Sequence, residues 1–413
     1  MKVWMLIWSY WPGPQGGAER QCRLVCPYLA SRNVSCTVIT ARLAYGSKRI
    51  ERDREVTIRR VGLLIPLLND LKGLMSRIPA YFQFRRLSDR KMTDSEAVND
   101  DKLRVAFWLG LPFVWLARLN FIVGLVCWSY ANRASVDVIH AHETGWLGAL
   151  AQLIGRICDI PVVCKAATTP AFPKIGWDVP FRLLLSRFQR LSDIIVLNER
   201  VQADLALEGF PVGKSTVVPN AVLMPSRAAV PEKSDTVLYV GNFSQGAHLK
   251  AFDVLFKAWA LVHCDNPSAK LVVAGGGNLT TWKNYVLELG CAVSVEFLGF
   301  VDNPGKLYDQ AGLFVLPSRV EGMSNALLEA LSFGLPVVAS DIPANRAVVD
   351  GSQSALLVEV GNERALADAI VSLLADPARR GEMGRLGREL VQQHHDVEHI
   401  SNLLLSLYQR MTV

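Results

Sequence analysis

Short apolar runs alternate with longer amphipathic segments along almost the whole chain, and the series begins twice. The runs of the first half are VWMLIW (3–8), CTVIT (36–40), VDVIHAH (136–142), PVVCKAA (161–167), DIIVLN (193–198) and STVVPNAV (215–222). Runs of this length between helical segments are typical of buried strands. A chain patterned in this way is expected to fold into a parallel sheet whose two faces are covered by helices.

The second series follows a polar, proline-rich stretch, MPSRAAVPEKSD (224–235), which we interpret as a linker. Its apolar runs are TVLYVGN (236–242), KLVVAGGG (270–277), VEFLGF (295–300), LFVLPS (313–318), LPVVAS (335–340) and ALLVEV (355–360), and everything after Glu363 has a helical pattern. The 413 residues suit two α/β domains of roughly 200 residues each.

We therefore predict an α/β fold of two doubly wound, Rossmann-like domains. The first is expected over residues 1–222 and the second over 223–390, with a separate helical segment at 391–413. Ligands of such sheets bind outside the carboxyl ends of the strands. The active site is accordingly expected in a cleft that the two domains face across.

Two apolar segments raise the question of membrane insertion or export. The N-terminus, MKVWMLIWSYWPG, reaches a Trp-Pro-Gly turn without a small-residue cleavage site, so a first strand explains it better than a signal peptide. The segment 105–128 is interrupted by Pro112, Arg118 and Asn120, so no clean span of about 18 apolar residues remains. We predict a cytoplasmic protein.

The cysteines agree with that compartment. No C-x-x-C pair occurs among the eight, and Cys22 and Cys26 lack a second pair that would complete a zinc site. Reduced, buried thiols are the interpretation that fits this spacing. The cysteines are residues 22, 26, 36, 127, 158, 164, 264 and 291.

Positive charge is concentrated at the beginning of the chain. The net charge is +6, yet residues 1–104 alone hold 19 Lys and Arg against 10 Asp and Glu. Segment 72–91, KGLMSRIPAYFQFRRLSDRK, mixes these charges with aromatic and aliphatic residues, which suits an anionic membrane surface as well as a simply solvated helical edge. No nucleic-acid-binding signature accompanies it, so no nucleic-acid partner is expected.

The segment RVEGMSNALLEALSFGLPVVAS (319–340) holds two carboxylates beside a predicted helix start. Ser324 and Asn325 are good N-cap residues and Gly334 a good C-terminal stop, so a helix is predicted over about 325–333. Its free N–H groups form an anion site. Glu321 precedes that site, and the side chain of Glu329 leans back towards it.

A phosphate between two carboxylates suits a sugar nucleotide, whose hydroxyls donate to the carboxylates. A glutamate near a helix N-terminus is also favourable without any ligand, by a few tenths of a kcal/mol. The motif by itself leaves both interpretations open.

The chain resembles the retaining glycosyltransferases of family four, which have the GT-B fold. Their E-x7-E motif matches EGMSNALLE, and the remaining matches cover nearly the whole chain in order, most weakly over 45–130. These matches are PGPQGGAER (12–20), DVIHAHE (137–143), VVPNAV (217–222), VGNFSQGAHLKAFDVL (240–255), LVVAGGG (271–277), FLGFVDN (297–303) and LFVLPSRVEG (313–322).

The resemblance implies roles for residues of the second domain. Glu321 would contact hydroxyls of the donor sugar, and Glu329 those of the ribose. Lys250 would stabilise the leaving diphosphate. The family's arginine after the first strand of this domain is replaced here by Asn242, and its Lys-Gly pair by Lys250-Ala251. The remaining donor-binding positions are Gly322, Met323, Ser324 and Asn325.

In the first domain, the resemblance assigns Gly16 and Gly17 to a loop that approaches the diphosphate. His142, preferred to His140 because it is nearer the strand end, would hold the reacting sugar. The helix at about 400–411 would cross back to the first domain. Arg20, Lys165 and His248 are further cations that could replace the missing arginine.

The reaction implied is the transfer of a hexose-type sugar from a UDP- or GDP-sugar with retention, without a cofactor or metal, since no Asp-x-Asp motif occurs. A lipid-linked or saccharide acceptor in surface polysaccharide or lipopolysaccharide synthesis is expected, with the protein peripheral on the inner face of the membrane. Two alternatives stay open: a nucleotide-sugar epimerase of the same fold, and a non-catalytic sugar-nucleotide-binding module. A glycoside hydrolase would need carboxylates facing each other across the scissile bond.

Overall fold

The structure is a computed structural model, and it describes residues 1–10, 16–42, 47–62, 101–167, 182–210, 212–243, 247–349 and 351–412. It divides into two compact units. Unit 1 comprises residues 1–196, 201–217 and 404–413, and unit 2 comprises 197–200 and 218–403. Apart from the short segment 197–200, the units change over at 217/218 and 403/404, whereas the sequence predicted boundaries at 222/223 and 390/391. The predicted basic segment 72–91 lies outside the described residues.

Unit 1 is built on an eight-stranded sheet with the strand order β3-β4-β2-β1-β5-β6-β7-β8. All neighbouring strands are parallel except β3 and β4. The order reverses direction between β1 and β5, which defines the switch point where doubly wound sheets bind ligands. The strands are β1 Lys2–Leu6, β2 Ser35–Ala41, β3 Ile50–Asp53, β4 Val56–Val61, β5 Val138–Ala141, β6 Val162–Ala166, β7 Asp193–Val196 and β8 Ser215–Val217.

The antiparallel hairpin of β3 and β4 was not predicted. Its residues, IERDREVTIRRV, are rich in charge, and the turn places Arg54 at φ +57°. Only the face of the hairpin that carries residues such as Val56 and Ile58 is buried. The hairpin therefore has too few apolar residues to be recognised as a buried strand from its sequence.

Helices cover the sheet of unit 1. They are α1 Gly17–Ala30, α2 Asp101–Asn132, α3 Trp146–Cys158, α4 Arg182–Phe188 and α5 Glu199–Leu207, whose first two residues belong to unit 2. Phe121 and Leu125 of α2 pack with Leu147 and Leu150 of α3 over the apolar side chains of β1 and β5. Among the described residues, no helix is both long and apolar enough to cross a bilayer.

Unit 2 is a six-stranded parallel sheet with the order β11-β10-β9-β12-β13-β14. Its switch point lies between β9 and β12. The strands are β9 Thr236–Val240, β10 Lys270–Ala274, β11 Val295–Gly299, β12 Leu313–Leu316, β13 Val337–Ser340 and β14 Ala355–Val358. All six coincide with predicted apolar runs, so the predicted pair of doubly wound α/β units is confirmed.

The helices of unit 2 enclose two apolar clusters, one on each side of its sheet. They are α6 Phe252–Asp265, α7 Thr280–Glu288, α8 Gly305–Gln310, α9 Asn325–Ser332, α10 Pro343–Val349, α11 Glu363–Leu374 and α12 Pro377–His394. The last helix, α13 Val397–Met411, begins in unit 2 and ends in unit 1. Three helices thus form the C-terminal region that was predicted simply as helical.

The cysteines are free thiols, as expected, but two of the eight are exposed rather than buried. Cys127 and Cys264 both lie on solvent-facing positions of helices, α2 and α6. A helix carries buried and exposed positions within one turn, so an apolar residue type alone does not fix the burial of a single position.

Candidate functional site

The switch point of unit 2 brings Lys250 and Glu321 together. Lys250 ends a short 3-10 turn after β9, and Glu321 follows β12. The Nζ of Lys250 donates to Oε1 of Glu321 at 2.6 Å, and Oγ of Ser318 donates to the same oxygen at 2.7 Å. The Glu321 side chain is 10% exposed and that of Lys250 32%. A carboxylate and a cation therefore meet at the edge of the sheet where a ligand is expected.

Arg319 is a residue of this site that the sequence interpretation missed. Its guanidinium forms a bidentate ion pair with Asp253, at 2.9 and 2.8 Å, and its Nη1 also donates to the carbonyl of His248 at 2.8 Å. The hydrogen bonds from Arg319 to the carboxylate lower the pKa of Asp253. The signal in the sequence is an arginine two residues before Glu321 and an aspartate three residues after Lys250.

The start of α9 is built as predicted. Ser324 is the N-cap, and its Oγ accepts from the backbone N–H of Leu327 at 3.3 Å. The helix ends before Gly334, which has φ +78°, a conformation that favours glycine. The predicted N-cap and helix are confirmed, and the open N–H groups at this end keep the capacity to bind an anion.

Asn220 fixes the loop in front of α9. Its buried side chain donates from Nδ2 to the carbonyl of Met323 at 3.2 Å and to Oδ1 of Asn325 at 3.0 Å. Its own carbonyl lies 3.0 Å from Nδ1 of His395, at the end of α12. The segment VVPNAV, noticed in the sequence without a role, thus supports the predicted phosphate-binding end of the helix.

The two motif glutamates have different partners. Glu329 lies half-buried on α9, and its Oε2 accepts from the hydroxyl of Tyr308 at 3.0 Å. Tyr308 belongs to α8 and is fully buried. The hydroxyl of Tyr308 therefore restricts the Glu329 carboxylate, while Lys250 and Ser318 hold that of Glu321.

Asn242 is exposed at the end of β9, where the resemblance expected an arginine. The loop that carries it crosses close to the loop after β10. A Cβ at Gly275 would lie 1.7 Å from the carbonyl oxygen of Gly241, so only glycine fits there. Asn242 brings a neutral amide to this edge, which leaves Lys250 as the predicted cation of the site.

His142 lies at the end of β5, at the switch point of unit 1. Its ring stacks on that of His140, with centroids 4.4 Å apart, and is buried. In the part of the chain that the structure describes, neither ring nitrogen of His142 has a hydrogen-bond partner. Burial, followed by the charge of Lys165, lowers the pKa of His142 to about 3. The imidazole is therefore neutral at pH 7 and can donate one hydrogen bond and accept another.

Gly16 and Gly17 follow β1 at the same switch point and are exposed at the start of α1. The N–H of Gly16 already has an anionic partner, because it donates to Oε2 of Glu19 at 2.9 Å. Oε1 of Glu19 accepts from Ser9 at 2.7 Å. A Cβ at residue 16 would come within 2.8 Å of Oε2, so glycine allows the carboxylate to fold over the helix end.

Two other candidate cations of the sequence, Lys165 and His248, belong to different units. Burial lowers the pKa of Lys165, on β6 of unit 1, to about 8. His248 contributes its backbone carbonyl to Arg319. The described residues contain no group of three or more His, Cys, Asp or Glu side chains that could hold a metal ion.

Comparison with known proteins agrees with this architecture. The family described as "Glycosyl transferase 4-like domain" matches residues 16–221, and "Glycosyl transferases group 1" matches residues 234–376. The chain belongs to the family-four type of glycosyltransferases and has their GT-B fold.

Among curated proteins, D-inositol 3-phosphate glycosyltransferase of Corynebacterium aurimucosum is 26% identical, over 80% of this chain and 87% of its own. Phosphatidyl-myo-inositol mannosyltransferase of Mycobacterium leprae is 27% identical over 66% of this chain and 73% of its own. The structure of Anabaena HepE, solved with UDP and glucose, has a TM-score of 0.67 at 16% identity and covers 99% of this chain and 100% of its own. That last likeness shows the fold alone.

Proposed function

We propose that the protein transfers a sugar from a UDP- or GDP-sugar to an acceptor hydroxyl with retention at the anomeric carbon and without a divalent cation. The observation that carries this proposal is the Lys250–Glu321 pair at the switch point of unit 2, beside the open N-terminus of α9. It rests also on membership of the family.

Each group has a task in this reaction. The N–H groups at the start of α9 bind the diphosphate, and Lys250 stabilises the negative charge that grows on it as the sugar leaves. Oε1 of Glu321 is held by Lys250 and Ser318, so its other oxygen can accept from a hydroxyl of the donor sugar. Glu329 accepts from a ribose hydroxyl, and His142 hydrogen-bonds the transferred sugar.

Every bond that breaks or forms in this reaction is accounted for without a general base from the protein. The bond between the anomeric carbon and the phosphate oxygen breaks, and the acceptor oxygen forms its bond on the same face. The proton of the acceptor hydroxyl passes to the departing phosphate. The protein supplies charge stabilisation and positioning, which are commonly the largest catalytic effects.

The donor test is a thermal-shift panel of UDP, GDP and their sugars on the wild type and Glu329→Ala. A shift with the diphosphates of one base, lost in Glu329→Ala, identifies the donor nucleotide. Glu321→Gln keeps the shape of the side chain and removes its charge, and should retain UDP or GDP binding while transfer falls by at least 100-fold. Nuclear magnetic resonance of the product decides retention, and transfer that survives a chelator supports metal independence.

We also propose a lipid-linked acceptor at an anionic membrane surface. The face of α2 that points away from the core exposes Leu116, Val123 and Tyr130, spaced seven residues apart, and Trp115 beside them. Arg133 lies 4.2 Å from the ring centre of Tyr130 and adds positive charge at the end of this face. An apolar helix face with a cation at its end suits a bilayer surface, and the relative from Mycobacterium leprae is named for a lipid acceptor.

Vesicle sedimentation tests the membrane proposal. Recovery with anionic but not neutral vesicles, reduced in Val123→Glu, is expected. Equal recovery with both vesicles contradicts the anionic surface, and no recovery with either contradicts membrane binding and favours a soluble saccharide acceptor.

Asn242 favours one alternative, a non-catalytic module that binds the sugar nucleotide. Donor binding in the thermal-shift panel without transfer to any acceptor fraction and without slow donor hydrolysis would support that alternative.

A further inference from the structure

We infer that Arg319 is a positioning residue that holds Lys250 against Glu321, an assignment that rests on the role proposed for Lys250. Arg319 directly follows Ser318, whose hydroxyl binds Glu321. It therefore lies on the segment that carries the carboxylate, while its backbone N–H and its guanidinium donate to the segment that carries the lysine.

One set of Arg319 contacts lies on the chain before Lys250. The backbone N–H of Arg319 donates to the carbonyl of Leu249 at 2.7 Å. Its Nη1 donates to the carbonyl of His248 at 2.8 Å. Two consecutive carbonyls of the turn that leads to Lys250 are thus bound by one residue.

A second set of contacts lies on the chain after Lys250. Nη1 and Nη2 of Arg319 donate to Oδ1 and Oδ2 of Asp253, in the first turn of α6. A bidentate arginine–carboxylate pair restricts orientation as well as distance. Arg319 therefore binds the chain on both sides of Lys250, and the position of Nζ relative to Glu321 depends on it.

The turn between these contacts needs external support. Ala251, directly after Lys250, has φ +54°, a left-handed conformation that is unfavourable for an alanine. The hydrogen bonds from Arg319 oppose relaxation of this turn, which would move Lys250.

Because the Arg319–Asp253 pair is partly exposed, its effect on the position of Lys250 can be measured apart from any effect on stability. The Arg319 side chain is 34% exposed and that of Asp253 44%, and ion pairs of this kind add little to stability. A displacement of about 1 Å at a catalytic group can nevertheless lower the rate about 100-fold. Loss of Arg319 should therefore lower kcat while the unfolding midpoint changes little.

The structure offers a matched control. Arg346 and Asp341 form another bidentate pair in unit 2, after β13 rather than β12. Both printed hydrogen bonds of this pair run from Arg346 to Asp341 itself. Arg346→Gln therefore removes the same type of interaction at the end of a different strand.

The experiment compares Arg319→Gln, Asp253→Asn, their double variant and Arg346→Gln in full-length protein. We expect Arg319→Gln and Asp253→Asn each to lower kcat about 10- to 100-fold, the double variant to fall no further, and Arg346→Gln to stay within twofold. Arg319→Lys should restore part of the rate. If Arg319→Gln behaves like Arg346→Gln, the inference is overturned. If Arg319→Gln raises the donor KM while Asp253→Asn is silent, Arg319 contacts the donor directly and the inference is again wrong.

A measurement that needs no substrate distinguishes failure of this inference from failure of the proposed function. Reductive methylation of Lys250, followed by mass spectrometry, should become several-fold faster in Arg319→Gln and stay unchanged in Arg346→Gln. An unchanged methylation rate in Arg319→Gln contradicts the positioning. Normal transfer by Lys250→Ala would instead overturn the proposed role of Lys250, while the methylation result still decides whether Arg319 holds the lysine in place.

Discussion

The hydroxyl of Tyr408, on the last helix, lies 2.7 Å from Nδ1 of His140, which is 268 residues earlier in the chain. Both side chains are buried in unit 1, and the ring of His140 stacks on His142. The end of α13 thus completes the surroundings of the histidine pair at the end of β5. Although α13 begins in unit 2, residues 404–413 belong to unit 1, so the last residues of the chain lie beside a histidine pair of residues 1–196.

Tyr408→Phe tests the importance of this hydrogen bond. The variant leaves a buried imidazole nitrogen without its partner, which costs about 1–3 kcal/mol. The expected result is a lower urea midpoint for unit 1. Tyr130→Phe is the control, because Tyr130 is 51% exposed and its loss of a hydroxyl should change stability by less than about 0.5 kcal/mol. Equal midpoints for the two variants would contradict the prediction.

The buried His142 predicts acid destabilisation. Its pKa is about 3 in the folded protein, against about 6.5 for an unfolded histidine. Between these values the unfolded chain binds a proton that the folded His142 excludes, so the contribution of His142 to stability falls as the pH falls from 6.5 to 3, by up to about 1.4 kcal/mol per pH unit. His142→Gln should flatten this dependence in unfolding curves measured from pH 7.5 to 4.5. An unchanged slope would show that His142 gains a proton without unfolding.

The left-handed conformation of Ala251 predicts an unusual response to glycine. Ala251 and Ala258 are both fully buried beside the same cluster, but Ala258 lies inside α6. Ala258→Gly should cost about 1–2 kcal/mol, from helix propensity and the lost methyl group. In Ala251→Gly, relief of the strained φ offsets those losses, so the change should be near zero. Equal losses of unfolding free energy in Ala251→Gly and Ala258→Gly, measured with urea, would show that Ala251 is not strained.

Asn242→Arg is a predicted gain of function. Asn242 is exposed, so an arginine fits there without repacking. A new charge-assisted hydrogen bond to the donor diphosphate should lower the donor KM several-fold, and the gain should shrink as salt is raised. Asn242→Gln serves as the length control. If the arginine leaves the KM unchanged while UDP and GDP still bind, position 242 does not face the diphosphate.

The local elements were accessible to prediction because their signals are local. All six strands of unit 2 and the helix that starts at Asn325 follow from apolar runs and from cap residues within a few positions of each other. The hairpin at 50–61 was missed because a half-buried, charged edge carries no continuous apolar run. Glu321 was placed beside the helix start from local signals, and the role of Lys250 came from the family resemblance. Nothing in either segment shows that the two side chains meet.

The sequence by itself determined the strand and helix pattern, the α/β class of each unit and the carboxylates placed around a helix start. Only the tertiary structure decided which groups pair across long stretches of chain. Arg319 meets Asp253 across 66 residues, and Tyr408 meets His140 across 268. Residues so far apart share no periodicity or cap signal, and parallel strands bring them together only when the order of the whole sheet is set.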